Sequence, residues 1–342
     1  MILDKFLLEN KGIYIFSDPA AENSILAIID KLISNGKKAG QDFLVYTNYF
    51  KKSFSSYYDL ISLVDTDERK ISNILEKFKP TYIFTGTSLQ NFEHVWRKVG
   101  CSKKIKVMSF IDHWTSYIER FMYQDEIIFG NEILVLNSIA KKEAELGGIP
   151  KELITVFENP YYDKVREFKP KISKEKFFKY LGLNRLKKTI LFISDDIKKS
   201  FPENDNGNCV LGFDEYSVLN DILISFKRIN SNLDLSDFQF VIKLHPKSEE
   251  NKFDKLISEF SLKSLNIFCI KNCPPLEINY FSDFVFGMFS NMVIESFLMN
   301  KKLIRVQTGQ IGDDLIKIKG IKDNVVKDVD KLCNEITNFL NT

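Results

Sequence analysis

Short apolar segments alternate with amphipathic segments of helical period along most of the chain, and this alternation limits the possible folds more than any other feature. The apolar runs are rich in β-branched and aromatic side chains and are bounded by turn residues. Continuous runs of this kind are typical of strands buried on both faces, as in a parallel sheet. The sequence therefore predicts an α/β protein with parallel sheets.

The alternation occurs in two series, and the second series begins near residue 185. A chain of 342 residues is too long for one core of usual size and suits two domains of ~150 residues each. We therefore predict two Rossmann-like, doubly wound domains at 1–165 and 166–328, followed by a terminal helix at 329–342. The linker between the domains is expected around residues 160–180, in a lysine-rich stretch.

Composition and missing motifs exclude several classes of protein. The net charge of +2 lacks the basic excess of a nucleic-acid-binding domain. No GxGxxG, P-loop, nucleophile elbow or metal-ligand pattern is present, which argues against dehydrogenases, kinases, serine hydrolases and metal sites; Asp195-Asp196 is not expected to bind metal.

The start of the chain does not resemble a signal peptide, and no run approaches ~20 apolar residues. We expect a cytoplasmic protein, with peripheral attachment to the inner membrane surface left open.

The first candidate site residue is His245, at the end of the predicted strand at 238–244. Pro246 follows it and prevents further sheet pairing. Ligands of open parallel sheets bind beyond the carboxyl ends of the strands, where an imidazole can donate a hydrogen bond to phosphate or deliver a proton. The alternative is that His245 caps a backbone carbonyl.

The second candidate is the segment Gly287-Met288-Phe289-Ser290, which connects a strand to an apolar helix that begins at Asn291. A serine at the start of a helix leaves backbone N–H groups and the positive end of the helix dipole directed at an anion. Glu295 follows in the second turn, where a carboxylate can bridge two ribose hydroxyls. The alternative is a simple helix cap with Glu295 on the solvent face.

The third candidate is Asp112-His113, which follows the predicted strand at 105–111. An acid and an imidazole at a strand end suit a general base for a sugar hydroxyl. The alternative is that Asp112 caps the next helix.

Two of these segments together resemble bacterial GT-B glycosyltransferases: Lys243-Leu244-His245-Pro246 and the stretch from Asp283 to Glu295. The similarity is to the sialyltransferase-like enzymes that use CMP-activated nonulosonic acids or Kdo. Polymerases that use CDP-glycerol share the His-Pro element and a serine-bearing turn between a strand and a helix. Segments 133–137 and 156–163 resemble the exit from the first domain in that fold.

The resemblance implies a GT-B fold, in which two Rossmann-like domains face a central cleft and bind the acceptor and the nucleotide sugar respectively. It implies that His245 contacts the nucleotide phosphate and assists the leaving group, while Ser290 binds phosphate. The family's acidic base motif ends in glycine, and Asp112-His113-Trp114 lacks the second acid and the glycine, so the base is Asp112 or His113. The expected donor-binding residues are Ser194, His245, Pro246, Gly287, Phe289, Ser290, Asn291, Met292 and Glu295.

The expected function is therefore a metal-independent, inverting transfer of a sugar from a CMP-activated nonulosonic acid or Kdo to a hydroxyl of a surface glycan or glycoprotein. No cofactor beyond the donor is expected. The alternatives are a CDP-polyol phosphotransferase, a UDP-sugar transferase or epimerase on the same fold, and a non-catalytic module that binds nucleotide sugars.

Overall fold

The computed structural model describes residues 2–48, 57, 59–89, 91–203, 207, 209–230, 234–260, 262, 264–321 and 324–341. The chain divides into two compact units, Met1–Lys164 and Val165–Thr342, called here the first and the second unit. Each unit contains its own parallel sheet. The predicted fold class, α/β with two Rossmann-like domains, is confirmed.

The sheet of the first unit has the strand order β3-β2-β1-β4-β5-β8-β9 across its described residues, and all of these pairs are parallel. A small antiparallel pair, β6 and β7, lies outside it. The strands are β1 (Gly12–Phe16), β2 (Phe43–Thr47), β3 (Ile61–Leu63), β4 (Tyr82–Thr85), β5 (Lys106–Ile111), β6 (Met122–Tyr123), β7 (Glu126–Ile127), β8 (Glu132–Val135) and β9 (Ile154–Val156).

The helices of the first unit are α1 (Ile2–Glu9), α2 (Pro19–Ser34), α3 (Glu68–Phe78), α4 (Asn91–Ser102) and α5 (Ser138–Leu146), and α6 (Tyr161–Arg166) runs across the division between the units. Local sequence explains the start of α2, where Asp18 accepts hydrogen bonds from Ala20 and Ala21 and proline occupies the first turn. One face of the sheet packs its apolar side chains against α3 and α4, with Trp96 fully buried.

The sheet of the second unit has the order β12-β11-β10-β13-β14-β15, and every described pair is parallel. The strands are β10 (Lys188–Ile193), β11 (Phe238–Lys243), β12 (Asn266–Ile270), β13 (Phe284–Gly287), β14 (Lys302–Val306) and β15 (Val325–Val326). The residues of β11 are all buried, as expected for a strand covered on both faces.

The helices of the second unit are α7 (Lys174–Leu181), α8 (Ile197–Ser200), α9 (Glu215–Ile229), α10 (Asp254–Ser258), α11 (Pro275–Phe281), α12 (Asn291–Leu298) and α13 (Val329–Leu340). Helix α13 packs against α9, while α11 packs against α12. Asp214 and Ser217 form a capping box that begins α9. None of the helices within the described ranges is long and apolar enough to cross a bilayer.

The strand order of each sheet reverses at one place. In the first unit the chain runs from β1 outward to β3 and then returns to the other side of β1 with β4; in the second unit β10 and β13 have the same relation. Such a reversal opens a crevice at the carboxyl ends of the two neighbouring strands, where ligands of doubly wound sheets bind. We call the two places the first and the second switch point.

The segment predicted as a linker at 160–180 forms helices instead. Ser173 caps α7 and Gly182, with φ +71°, ends it. Phe177 and Phe178 are buried, with ring centroids 5.5 and 6.2 Å from that of Phe281. Lys176 and Lys179 lie on the exposed side of this amphipathic helix, so the second half of the predicted linker belongs to the fold of the second unit. The division between the units, at Lys164 and Val165, does fall within the predicted range.

The terminal helix gives a test of the second core, because Ile336 in α13 is fully buried in it. Ile336→Ala is expected to lower the free energy of unfolding by roughly 2–5 kcal/mol, through lost burial and the cavity left behind. Asn334→Ala, at an exposed position of the same helix, is the control and is expected to have little effect. Urea denaturation measures both; equal unfolding midpoints would show that α13 is not part of the core.

Candidate functional site

The second switch point brings together two of the predicted segments. Residues 194–196 follow β10 on one side, and residues 288–290 follow β13 on the other. His245 follows β11, the strand on the far side of β10. With a strand spacing of ~4.8 Å, the ends of β11 and β13 lie ~10 Å apart at the same edge of the sheet.

Ser290 occupies the N-cap position of α12, but its hydroxyl does not cap the helix. The backbone of Ser290 is extended, and its side chain makes no hydrogen bond to the first amides of the helix. The Oγ atom is buried and has no hydrogen-bond partner among the described atoms. The hydroxyl of Ser290 therefore does not cap α12, which argues against the simple-cap alternative.

The turn that carries Ser290 is held from the neighbouring strand. Arg305 Nε donates to the carbonyl of Met288 at 2.9 Å, and Gln307 Nε2 donates to the same oxygen at 3.3 Å. The guanidinium of Arg305 is fully buried and forms two 2.5 Å hydrogen bonds with the carboxylate of Asp314. A bidentate pair of this kind fixes the arginine, and so it fixes the turn.

Gly287 and Phe289, both predicted to bind the donor, have structural roles here. A Cβ on Gly287 would lie 2.3 Å from Cγ2 of Val293, so glycine permits the close approach of β13 and α12. The ring of Phe289 packs against Phe201 and Phe213, at centroid distances of 5.8 and 6.2 Å. Any hydrogen bond that Gly287 or Phe289 offers to a ligand comes from the backbone.

His245 is half-buried, and its ring accepts a hydrogen bond at Nδ1 from the N–H of Lys247 at 3.3 Å. Nδ1 of His245 therefore accepts a hydrogen bond and does not donate one to a backbone carbonyl, as the capping alternative required. The proton of the neutral ring lies on Nε2. Burial lowers the pKa of His245, and lysines at 243, 247 and 252 lower it further, against the opposing charge of Asp196. The neutral ring donates a hydrogen bond from Nε2 but is not a proton source at neutral pH.

Asp195, which sequence analysis had only excluded as a metal ligand, lies at the centre of the switch point. It is 7% exposed, and its Oδ2 atom has no hydrogen-bond partner in the described structure. Burial raises the pKa of Asp195 to about 7, although the N–H of Phe289 and the hydroxyl of Ser290 favour the ionised form. A carboxyl group in this state is half protonated near neutral pH.

A buried ion network lies beside Asp195. Lys252 Nζ is 2.7 Å from Glu215 Oε1 and 3.3 Å from Asp196 Oδ1, and it also donates to Ser248 Oγ at 3.1 Å. A pocket of about 190 Å³ opens over the network. It is lined by Asp196, Lys198, Lys199, Glu215, Tyr216, Ser248, Glu249 and Lys252.

The other predicted donor-binding residues differ in exposure. Glu295 is 4% exposed, so the alternative that placed it on the solvent face is wrong. Ser194 is buried and donates from Oγ to the carbonyl of Asp195 at 3.1 Å, which uses its only hydroxyl proton locally. Pro246 and Asn291 are exposed and Met292 is half-buried.

At the first switch point a buried acid joins β1, β4 and α4. Ser17 and Ser88 each donate a 2.6 Å hydrogen bond to Glu93 Oε2, whereas Oε1 of Glu93 is buried without a partner in the described structure. Burial raises the pKa of Glu93. A Cβ on Gly86 would lie 2.5 Å from Cβ of Ala21 and 3.3 Å from Glu93 Oε1, so glycine is needed for this packing.

Asp112 lies at the end of β5 near this cluster. Burial raises its pKa, although Arg120, whose Nη1 is 3.9 Å from Asp112 Oδ1, opposes the shift. Asp18 also has a raised pKa, through burial and the charge of Asp112. The chain after Asp112 turns irregularly before a single helical turn at Glu119–Phe121. The alternative that Asp112 caps a helix is therefore wrong.

His113 is the weaker candidate for the base. Burial, with Arg120, lowers its pKa to about 4. A base with so low a pKa takes up a proton poorly at neutral pH, whereas a carboxylate with a raised pKa is closer to the optimum. The directions of the two pKa shifts favour Asp112 over His113 as the candidate base.

Sequence reasoning missed Asp195, Asp18 and Glu93. Asp195 and Asp18 were detectable, because each follows a predicted strand by the same rule that selected His245. Glu93 lies within a helix, and only the tertiary fold places it at the switch point. Throughout the described ranges, no group of three or more His, Cys, Asp or Glu side chains is arranged to hold a metal ion.

Comparison with known proteins gives the fold. No protein-family model matches the sequence, and no curated protein matches it. Solved structures do match: UDP-GlcNAc 2-epimerase from Methanocaldococcus jannaschii has 16% identity and a TM-score of 0.66 over 97% of this chain and 93% of that one. The Neisseria meningitidis UDP-GlcNAc 2-epimerase bound to UDP-GlcNAc has 14% identity and a TM-score of 0.57 over 86% and 82%.

Anabaena HepE in complex with UDP has 11% identity and a TM-score of 0.60, over 97% of this chain and 90% of that chain. These similarities extend over both units and agree with two Rossmann-like units of the GT-B type.

The raised pKa of Asp195 predicts a pH-dependent stability. The folded state holds the proton more tightly than the unfolded chain, whose carboxyl has the ordinary value of 3.8, so the free energy of unfolding falls as pH rises from ~4 to about 7. Asp195→Asn is expected to remove this pH dependence. Over the whole range, the wild type is expected to lose up to ~4 kcal/mol of unfolding free energy that the variant does not lose, at 1.4 kcal/mol per pKa unit.

The measurement is urea denaturation of both proteins at pH values from 4 to 8. Asp313→Asn is the control, because the side chain of Asp313 is 97% exposed. Parallel curves for wild type and Asp195→Asn would show that Asp195 is ionised throughout this range.

Proposed function

We propose that this protein is an enzyme that acts on the sugar of a UDP-sugar. The second unit binds the nucleotide diphosphate at its switch point, and the first unit supplies the groups that transfer protons. Epimerisation of the sugar is the reaction we place first.

The observation that carries the proposal is the unused donor set at the start of α12. The buried hydroxyl of Ser290 has no partner in the described structure, the first amides of the helix are uncapped by a side chain, and the neutral ring of His245 presents an N–H at the same sheet edge. Donors that converge at a helix N-terminus favour a phosphate group. Buried Glu295, one turn further along α12, is suited to accept hydrogen bonds from ribose hydroxyls.

Epimerisation is favoured over transfer by two lines of support. The structural neighbours include UDP-GlcNAc 2-epimerases over nearly the full length of this chain. Inversion at a carbon that carries hydrogen needs one group to remove a proton and another to return it. The first unit offers Asp18, Glu93 and Asp112 as titratable acids with raised pKa values.

The second candidate is the metal-independent, inverting transfer of a CMP-activated nonulosonic acid or Kdo to a glycan or glycoprotein acceptor in the cytoplasm. It is supported by Asp112, a buried acid that follows β5 and has the raised pKa expected of a base for an acceptor hydroxyl. A CDP-polyol phosphotransferase or a non-catalytic binding module would use the same phosphate site, and the experiments below separate these possibilities.

A nucleotide panel tests the proposed ligand. UDP is expected to stabilise the protein more than CDP or CMP do, by ~2.7 kcal/mol when present at 100 times its Kd. Ser290→Ala is expected to weaken UDP binding by roughly 10- to 100-fold, the usual effect of losing a hydrogen bond to a charged group. The measurement is thermal shift followed by calorimetry, with and without EDTA, which also tests the expectation that no metal is needed.

The matched control is Ser258→Ala, which changes an exposed serine and is expected to leave affinity unchanged. Stabilisation by CMP alone would support the transferase instead. Failure of all three nucleotides to bind would remove the proposal.

Asp112→Asn tests the chemistry. Loss of one positioned acid–base group is expected to lower turnover ~10²–10⁴-fold while UDP affinity stays unchanged. Proton NMR of UDP-GlcNAc incubated with the protein distinguishes an epimerised UDP-sugar from a free sugar plus UDP. Asp125→Asn, an exposed residue of the first unit, is the control. Wild-type turnover in Asp112→Asn would remove Asp112 from the mechanism.

A further inference from the structure

The carboxyl group of Asp195 is buried at the second switch point, and two nearby donors are directed at the backbone carbonyl of Asp195 instead of at this carboxyl group. Ser194 Oγ and Lys252 Nζ donate to the backbone carbonyl of Asp195, at 3.1 and 3.2 Å. The ammonium group of Lys252 is paired with Glu215 and Asp196. Oδ2 of Asp195 therefore lacks a partner in the described structure, although buried polar atoms normally have one.

The hydroxyl of Ser290 lies in the same crevice as the carboxyl group of Asp195. Its Oγ atom is also buried without a partner in the described structure, yet it lies near enough to Asp195 to favour the ionised carboxylate. Two buried polar atoms, Asp195 Oδ2 and Ser290 Oγ, thus lie close together at the start of α12. An anion at that place would give each of the donors a partner.

The charge of Asp195 decides whether an anion can bind there. A carboxylate and a phosphate oxygen in contact repel each other, whereas a protonated carboxyl donates a hydrogen bond to phosphate. Burial and, to a smaller degree, the charge of Glu215 raise the pKa of Asp195, whereas the N–H of Phe289, the hydroxyl of Ser290 and the charge of Lys252 lower it; the result is a pKa of about 7. His245 faces Asp196 instead, and its own pKa is lowered.

We propose that Asp195 binds a phosphate oxygen of the nucleotide in its protonated form, as a hydrogen-bond donor beside Ser290, so that nucleotide binding takes up a proton. The inference rests on the proposed function, which supplies the nucleotide. The proton comes from solvent to Asp195 Oδ2, and no covalent bond forms or breaks. Because one proton accompanies the ligand, affinity falls by up to tenfold for each pH unit above about 7.

Calorimetry with UDP-GlcNAc tests this directly. Its diphosphate is esterified at both ends, so each of the two phosphates keeps one negative charge from pH 6 to 8 and the probe itself exchanges no protons in that range. Titrations at pH 8 in Tris and in HEPES, whose heats of ionisation differ, report the protons taken up. The expected result for the wild type is close to one proton per complex and a Kd that weakens roughly tenfold from pH 6 to 8.

Three variants assign the proton to its residue. Asp195→Asn is expected to bind with no proton uptake and with a Kd that does not change with pH. His245→Gln and Asp313→Asn are expected to retain the uptake, because neither group is the proton acceptor. Circular dichroism and urea denaturation test whether the variants fold. If a variant does not fold, the wild-type titration still tests whether binding of UDP-GlcNAc takes up a proton.

The outcomes are distinct. A wild-type Kd independent of pH, or full proton uptake by folded Asp195→Asn, overturns the inference and leaves the proposed function standing. If UDP-GlcNAc, UDP and CMP all fail to bind the wild type at any pH, the proposed function fails and the inference fails with it.

Discussion

The parallel pairing of β10 with β11 on one side and β13 on the other is the constraint on which the candidate site depends. All three strands run in one direction, so the residues that follow them emerge at one edge of the sheet. The chain reaches β11 and β13 through connections that leave in opposite directions along the sheet, and the crevice between β10 and β13 is therefore not covered by a connection. Three separate segments of sequence meet there because of topology alone.

Most buried charged side chains near the second switch point are paired with a side chain of opposite charge. Arg305 is paired with Asp314 and Lys252 with Glu215 and Asp196, each at hydrogen-bond distance. A buried ion without a partner is costly, and groups in that position shift toward the neutral form instead. Asp195 is the exception that shows this shift most clearly at the second switch point.

Regular elements could be predicted from sequence because local patterns determine them. The predicted strand at 238–244 and the predicted terminal helix at 329–342 correspond to β11 and α13, since one is a mostly apolar run and the other is amphipathic and begins at the N-cap Asp328. The two switch points could not be predicted, because strand order is a long-range property. The packing roles of Gly287 and Phe289 could not be predicted either, because sequence analysis placed both residues in a candidate phosphate-binding segment and only the packing distances show that they hold that segment together.

The contact between Gly287 and Val293 has a consequence for specificity. With β13 and α12 in close contact and the Met288 carbonyl held by Arg305 and Gln307, this turn has little freedom to move. If the turn binds phosphate as proposed, its rigid backbone makes the same contacts with every nucleotide. Under that proposal, discrimination between one base or sugar and another depends on segments farther from this turn, and substitutions in those segments change the preferred substrate without disturbing phosphate binding.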